Sequence, residues 1–313
     1  MDTKVSVITT VLNEAETIDA FLGSILKQTM LPDEMVVVDG GSTDPTVVRL
    51  REFTQHHPEI NLRIEVAEGN RSVGRNAAIS LARNDIIAVT DAGNTLDQKW
   101  LRAITEPFRT DPNVDFVGGW YQPTVKTVWD QSLAMVFGFR ADRVDTTTFL
   151  PSTRSMAFKK TLWQTVGGFD VTNSHSEDTP FSIAMRKAGK KFAFAPDAVV
   201  YWHMADGYGR LYRTFDRYAL GDGQMRLWMS QYIIVLTGLA IELTLFITGF
   251  FFTYILWLIG IAGAIVYLYL PLLKTGYHKN ARSWYQVPLM KLILVCGNAH
   301  GFVRGLLEKR KTA

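Results

Sequence analysis

Carboxylates and amides in this chain fall at the ends of short apolar runs, where side chains can converge. Asn13-Glu14 follow the β-branched run Val5–Thr10. Asp39-Gly40-Gly41-Ser42-Thr43-Asp44 follows Met35–Val38, Glu68–Asn76 follows Leu62–Val66, and Asp91-Ala92-Gly93-Asn94 follows Ile86–Thr90. A second acidic pair, Glu177-Asp178, stands just ahead of the helical pattern Phe181–Ala188. Carboxylates so placed can accept a proton from a hydroxyl or hold a divalent cation, and Arg75 among them can pair with an anion. As a purely structural feature, Glu177-Asp178 with Thr179-Pro180 also suits a helix N-terminus.

These loops need a scaffold that gathers them. The apolar runs are strand-length, and helical patterns separate them. One such helix carries Phe21, Leu22, Ile25 and Leu26, with Asn13 as N-cap and Glu16 as its capping-box partner. Asp44-Pro45 reads as N-cap plus proline at the next helix start, and a third helix is expected around Gly74–Ala82. The alternation predicts an α/β domain on a mostly parallel sheet covered on both faces. In such sheets a ligand lies beyond the carboxyl ends of the strands, where the polar loops collect.

Three common nucleotide or nucleophile signatures are absent. No G-x-G-x-x-G follows the first strand. Gly69–Asn76 has the glycine spacing of a phosphate loop but carries Arg75-Asn76 where Lys-Ser/Thr belongs, and no Gly-x-Ser-x-Gly elbow occurs. The formal charge of +3 over 313 residues gives no footprint for nucleic acid. The single cysteine, Cys296, excludes an intramolecular disulfide. The N-terminus runs into Val5-Ser6-Val7-Ile8 without the pattern of a secretory signal, so the N-terminal domain is expected in the cytosol.

The second half differs. Tyr232–Leu273 contains one charged residue, Glu242. As one helix it would be about twice a bilayer core in length, so two spans with a turn near Thr248-Gly249 or Thr253 are expected. Arg210, Arg213, Arg217 and Arg226 precede it; Lys274, His278, Lys279 and Arg282 follow it. Both flanks are therefore expected in the cytoplasm, as a hairpin requires. Residues 206–230 read as an amphipathic helix at the headgroups. Residues 231–274 read as the hairpin, and 275–313 as a tail that is interfacial or docked on the hairpin.

The ordered motifs resemble those of the family-2 glycosyltransferases of the GT-A fold. The resemblance covers residues 4 to 204. Its motifs are Val5-Ser6-Val7-Ile8-Thr9-Thr10-Val11-Leu12-Asn13-Glu14, Val37-Val38-Asp39-Gly40-Gly41-Ser42-Thr43-Asp44, Gly74-Arg75-Asn76-Ala77-Ala78, Thr90-Asp91-Ala92-Gly93, Ser155-Met156-Ala157-Phe158, Val166-Gly167-Gly168-Phe169-Asp170 and Ser176-Glu177-Asp178-Thr179. It implies a catalytic domain over residues 1–205 that takes a UDP-, GDP- or dTDP-sugar. Thr10, Leu12, Asn13, Glu14, Asp39, Ser42, Arg75, Asn76, Thr90, Asp91, Ala92 and Gly93 would surround the donor. Asp39 would accept from the base or ribose. Asp91, with His203 as second ligand, would hold Mg²⁺ or Mn²⁺ on the diphosphate. Gly93 stands where the family's second D-x-D carboxylate belongs. Arg75, Arg210 and Arg213 are alternative partners for the diphosphate.

By the same resemblance Asp178 is the base that deprotonates the acceptor hydroxyl, with inversion, and Glu177 positions the acceptor or tunes Asp178. Gly221–Trp228 approaches the Q-x-x-R-W of processive synthases, but Gln224 and Arg226 have the wrong spacing. Single transfer to a polyprenyl-linked saccharide at the inner or plasma membrane, with both termini cytoplasmic, is the expectation. A polyprenyl-phosphate sugar synthase is the alternative. A polymerising synthase and a non-catalytic membrane scaffold are weaker ones.

Overall fold

The computed structural model describes residues 4–138, 140–172, 175–204, 206–275 and 283–308. Its strands are β1 (Val5–Val11), β2 (Glu34–Asp39), β3 (Leu62–Val66), β4 (Ile86–Val89), β5 (Asn94–Leu96), β6 (Phe116–Pro123), β7 (Met156–Lys159) and β8 (Phe192–Trp202). Its α-helices are α1 (Ile18–Leu26), α2 (Thr46–His56), α3 (Arg71–Leu81), α4 (Trp100–Thr110), α5 (Val128–Phe137), α6 (Lys160–Val166), α7 (Asp178–Lys187), α8 (Tyr208–Met225), α9 (Met229–Phe251), α10 (Tyr254–Thr275) and α11 (Ser283–Leu307). The chain divides into two compact units, one holding residues up to 123 and 140–203, the other 124–139 and 204 onward.

In the first unit one sheet has the strand order β3-β2-β1-β4-β7-β6-β8-β5. The half from β3 to β4 is parallel, as the strand–helix alternation predicts. The other half is mixed: β7 runs antiparallel to both β4 and β6, and β5 antiparallel to β8. β1, β2 and β4 are buried on both faces because helices cover both, whereas the edge strand β3 is partly exposed. Val5, Val7, Met35, Val37 and Ala88 point towards α1 and α4, where Phe21, Leu22, Ile25, Trp100 and Ile104 meet them. Ile8, Val36, Val38, Ile87 and Val89 point the other way, onto Ala78, Ile79, Leu162, Phe181 and Met185. Truncating one such side chain to alanine removes about 2–5 kcal/mol.

The start of α1 departs from expectation. The helix begins at Ile18 after Thr17, and Asn13 does not cap it. Asn13 adopts φ 54°, its side-chain oxygen accepts from Thr43 N–H at 2.9 Å, and its own N–H donates to Ser42 Oγ at 2.8 Å. A tertiary loop contact has outcompeted the local capping spacing. Asp44 does act at the start of α2, accepting from Thr46 N–H at 3.0 Å.

In the second unit α8 ends where Arg226 and Trp228 take left-handed φ values of 54° and 53°. α9 and α10 follow as apolar helices with mean hydropathy 2.1 and 1.9, and only 6% of each 18-residue window is buried. Both are long and apolar enough to cross a membrane. They turn at Phe252-Thr253, the second of the two expected places. Beside the turn Trp257 fills the space over Gly249 and donates its indole N–H to Phe246 O at 2.8 Å. Glu242 lies against α10, where a Cβ on Gly260 or Gly263 would come within 3.0 or 3.1 Å of its carboxylate.

The tail helix α11 packs along α8. Gly297, Gly301 and Gly305, four residues apart, bring its backbone onto that of α8, and a Cβ at Gly301 would run into the Asp216 carbonyl. The Asp216 carboxylate, from α8, binds His300 Nδ1 at 2.7 Å and Arg304 at 3.0 Å. Thus α11 is docked, with α8 as its chief partner where the hairpin was expected. Of the basic residues expected after the hairpin, His278, Lys279 and Arg282 lie outside the described residues.

Candidate active site

Arg75 is the hub of the polar edge. It sits in the second turn of α3, whose N-terminus is capped by Asn70 accepting from Val73 N–H at 3.1 Å. Gly74 allows this helix to lie close to β1: a Cβ there would be 2.7 Å from Thr10 Cγ2. Thr10 is therefore a packing partner of α3. The Arg75 side chain is 2% exposed and pairs with Asp91, at the end of β4, at 2.8 Å. It also pairs with Glu177, at the start of α7. Two anionic partners make burial of the guanidinium tolerable.

The electrostatics follow from this. Burial pushes the Asp91 carboxyl up, but Arg75, Arg154 and Arg71 more than offset it and hold it below the usual carboxylate range. Glu177 behaves likewise, with burial opposed by Arg75 and Arg71 and a net lowering. Burial would lower Arg75, and Asp91 and Glu177 raise it, so all three groups stay charged at neutral pH.

Asp178 opens α7 and accepts a hydrogen bond from Ser152 Oγ at 2.8 Å. Arg154 Nη1 reaches Ser152 Oγ at 3.2 Å. The Arg154 guanidinium covers the rings of Tyr121 and Trp202, 5.1 and 4.8 Å from their centroids. Asp178 and Glu177 thus have separate partners. Glu177 is 5% exposed and pairs with Arg75. Arg71, Ser152 and Arg154 were missed in the sequence. The clue available was the Ser152-Thr153-Arg154-Ser155 segment leading into a strand at the same sheet edge.

The loop after β2 is closed on itself. The Asp39 carboxylate accepts from Gly41 N–H at 3.0 Å, from Ser42 N–H at 2.9 Å and from the Ser42 hydroxyl, and the residue is buried. Its carboxylate is used by its own loop where a base or ribose contact was expected. Asn76 is tied to the segment before α7. Its amide donates to Phe169 O at 2.7 Å and accepts from Phe169 N–H at 2.9 Å and Trp163 Nε1 at 3.0 Å. It holds the 163–169 segment. Thr90 and Ala92 are buried, 1% and 2% exposed, whereas Leu12 is 54% exposed beside Gly40. Arg210 and Arg213, the other expected diphosphate partners, are on α8 in the second unit.

The donor set decides whether a divalent cation fits. Asp91 keeps about a third of its side chain exposed despite its pairing with Arg75. No side chain grows from Gly93, but a Cβ there would be 3.6 and 3.8 Å from the two carboxylate oxygens of Glu14. The β5–β8 register pairs Asn94 with Trp202, the residues next in the chain to Gly93 and His203. Among the described residues no three His, Cys, Asp or Glu groups form a ready cage. This fits Mg²⁺ or Mn²⁺ held by one or two carboxylates and completed by substrate phosphates and water.

A parallel-then-mixed sheet with acidic and arginine groups gathered at its carboxyl edge defines a GT-A transferase domain. Residues 6–167, half of the chain, match the family model described as glycosyl transferase family 2, and the chain belongs to that family. It is 29% identical over 240 residues to the glycosyltransferase AglE of Haloferax volcanii, covering 72% of this chain and 74% of that protein. It is 23% identical over 224 residues to the poly-beta-1,6-N-acetyl-D-glucosamine synthase of Staphylococcus epidermidis, covering 69% of this chain but only 53% of the synthase. Among solved structures, the mannosyltransferase PcManGT from Pyrobaculum calidifontis in complex with GDP-Man and Mn²⁺ superposes with a TM-score of 0.68 at 21% identity, covering 94% of this chain and 86% of that one. S. aureus TarS 1-349 in complex with UDP gives 0.51 at 20% identity, over 70% of this chain and 65% of that one. The protein is a glycosyltransferase.

Proposed function

We propose that the protein transfers one sugar, with inversion, from a nucleoside diphosphate sugar to a lipid-linked saccharide at the cytoplasmic face of the plasma membrane. The observation that carries this reading is the placement of Asp178. It is a half-buried carboxylate oriented by Ser152, in the same unit as the Arg75–Asp91 pair. A proton acceptor and an anion-stabilising group are what glycosyl transfer to a hydroxyl needs.

In the reaction the acceptor oxygen attacks the anomeric carbon from the face opposite the diphosphate. The new C–O bond forms as the bond from that carbon to the diphosphate oxygen breaks, and the electron pair leaves with the diphosphate. The hydroxyl proton passes to Asp178. Arg154 and Arg71, which also lower the Asp91 carboxyl, are cations available to the developing charge. A divalent cation on Asp91, with Glu14 and His203 at hand, would add further charge stabilisation to the leaving group. PcManGT is bound to GDP-Man and Mn²⁺ and TarS to UDP, which supports a metal-bridged nucleoside diphosphate donor.

The second unit supports a membrane acceptor. The apolar faces of α9 and α10 are unburied, as lipid contact requires. Near the open end of the hairpin a crevice of about 380 Å³ is lined by Phe137, Phe215, Val235 and Leu294, with Gln231 and Lys291 as polar groups. Such a lining suits a hydrocarbon chain with an anionic head.

The direct test is binding and turnover of UDP-, GDP- and dTDP-sugars by the detergent-purified full chain, with Mg²⁺, Mn²⁺ or EDTA, beside Asp91→Ala. Metal-dependent binding of one donor, lost in Asp91→Ala, is expected. Folded protein that binds no donor with any metal would leave a non-catalytic scaffold as the better account.

A further inference from the structure

We infer that Glu14 supplies, from the end of β1, the carboxylate that Gly93 does not, so that Asp91 and Glu14 together face the divalent cation. This assignment rests on the metal-bridged donor of the proposed function.

Gly93 is not demanded by its backbone, since its φ lies outside the left-handed region, where glycine alone is at ease. Nor is it demanded by crowding. Among the described residues a Cβ built there meets two atoms within 4 Å, Glu14 Oε2 at 3.6 Å and Glu14 Oε1 at 3.8 Å. The space into which an aspartate at 93 would grow already faces a carboxylate.

Glu14 is held in place by its surroundings. Its N–H donates to Thr46 Oγ1 at 2.8 Å, its carbonyl accepts from the N–H groups of Thr17 and Ile18 at 3.0 and 2.8 Å, and the Thr17 hydroxyl donates to Oε2. The loop after β1 thus aims the side chain across the sheet edge to the loop after β4, its neighbouring strand. Charge balance points the same way. Asp91 shares Arg75 with Glu177 and also feels Arg154 and Arg71, so alone it offers a cation little net attraction. Glu14 forms no ion pair among the described residues and brings the missing negative charge.

The test moves the carboxylate. Mn²⁺ binding is measured on the full chain in detergent by the electron paramagnetic resonance of free Mn²⁺, in the presence of GDP and of UDP. The proteins are wild type, Glu14→Gln, and Glu14→Gln with Gly93→Asp. Nucleotide affinity in EDTA is measured in parallel, and thermal unfolding confirms that each variant folds. Glu14→Gln is expected to weaken Mn²⁺ by about 10-fold or more and to leave metal-free nucleotide affinity within about twofold. The double variant is expected to recover to within about threefold of wild type, a non-additivity that a merely structural role for Glu14 would not give. Unchanged Mn²⁺ affinity in Glu14→Gln, or a double variant no better than it, overturns the assignment. Wild-type protein that binds nucleotide equally well in EDTA overturns it too, yet leaves the transferase reading standing. Wild-type protein that binds neither nucleotide with any metal overturns both.

Discussion

Arg75 and Glu177, 102 residues apart in the chain, meet as a buried ion pair, and the same guanidinium holds Asp91 at 2.8 Å. One arginine thereby joins the second turn of α3, the end of β4 and the start of α7. The proposed base Asp178 follows Glu177 directly, so this pair sets its place relative to the loop after β4.

Removing one partner should be costly. Glu177→Ala leaves Arg75 buried with half its charge compensation, a change worth roughly 3–5 kcal/mol. Thermal unfolding of the full chain in detergent should show a midpoint lower by at least about 6 °C, with Glu177→Gln intermediate. An unchanged midpoint in Glu177→Ala would mean that the pair contributes nothing.

The same pairs predict a pH dependence. Asp91 and Glu177 are both held below their ordinary carboxylate values in the fold. Groups depressed in this way give stability that is fully present above the ordinary range, ~4, and is lost as pH falls through the lowered values. Wild-type unfolding midpoints should be flat from pH 7 to 5 and fall steeply below about pH 4. Glu177→Gln should show a shallower fall; an equally steep one would assign the acid sensitivity elsewhere.

Ser152 orients the proposed base, so Ser152→Ala should act on turnover. A hydrogen bond to a charged group is worth ~1.5–3 kcal/mol, which corresponds to roughly 10–100-fold in kcat. Donor KM should stay within about twofold, since Ser152 touches Asp178 and Arg154 only through its hydroxyl. A change confined to donor KM would place Ser152 on the donor side instead.

Lys291 is the cation of the apolar crevice in the second unit. Lys291→Glu should raise KM for a polyprenyl-linked acceptor in vesicles or micelles by about 10-fold, while donor hydrolysis without acceptor is unchanged. Equal acceptor KM in the variant would remove the crevice from the acceptor's path.

β1, β2 and β4 of the parallel half were readable because each is an apolar run buried on both faces, and β3 by its alternation of Leu62, Ile64 and Val66 with charged residues. β6 was not, since Gly118, Gly119 and Pro123 break its pattern, and the antiparallel insertion of β7 depends on partners far away in sequence. Asp91, Arg75, Glu177 and Asp178 stood out by type and context, but no local spacing says that Arg75 joins Asp91 to Glu177. Asn13 misled because an Asn followed three residues later by Glu fits a capping box, whereas loop contacts to Ser42 and Thr43 hold it outside the helix. That the apolar stretch turns back was legible from length alone, but length left Thr248-Gly249 and Thr253 both open as the turn. The docking of α11 on α8 was not, because its glycine spacing names no partner.

The most direct test of the account is single-turnover transfer from the bound nucleotide sugar to a polyprenyl-linked saccharide, comparing wild type with Asp178→Asn at saturating donor. The account predicts that Asp178→Asn binds donor with wild-type affinity and transfers sugar at least about 100-fold more slowly, as loss of a general base requires. Transfer at the wild-type rate to a hydroxyl acceptor would contradict it. Wild-type transfer confined to a polyprenyl phosphate, whose anionic oxygen hardly needs a base, would point to a polyprenyl-phosphate sugar synthase instead.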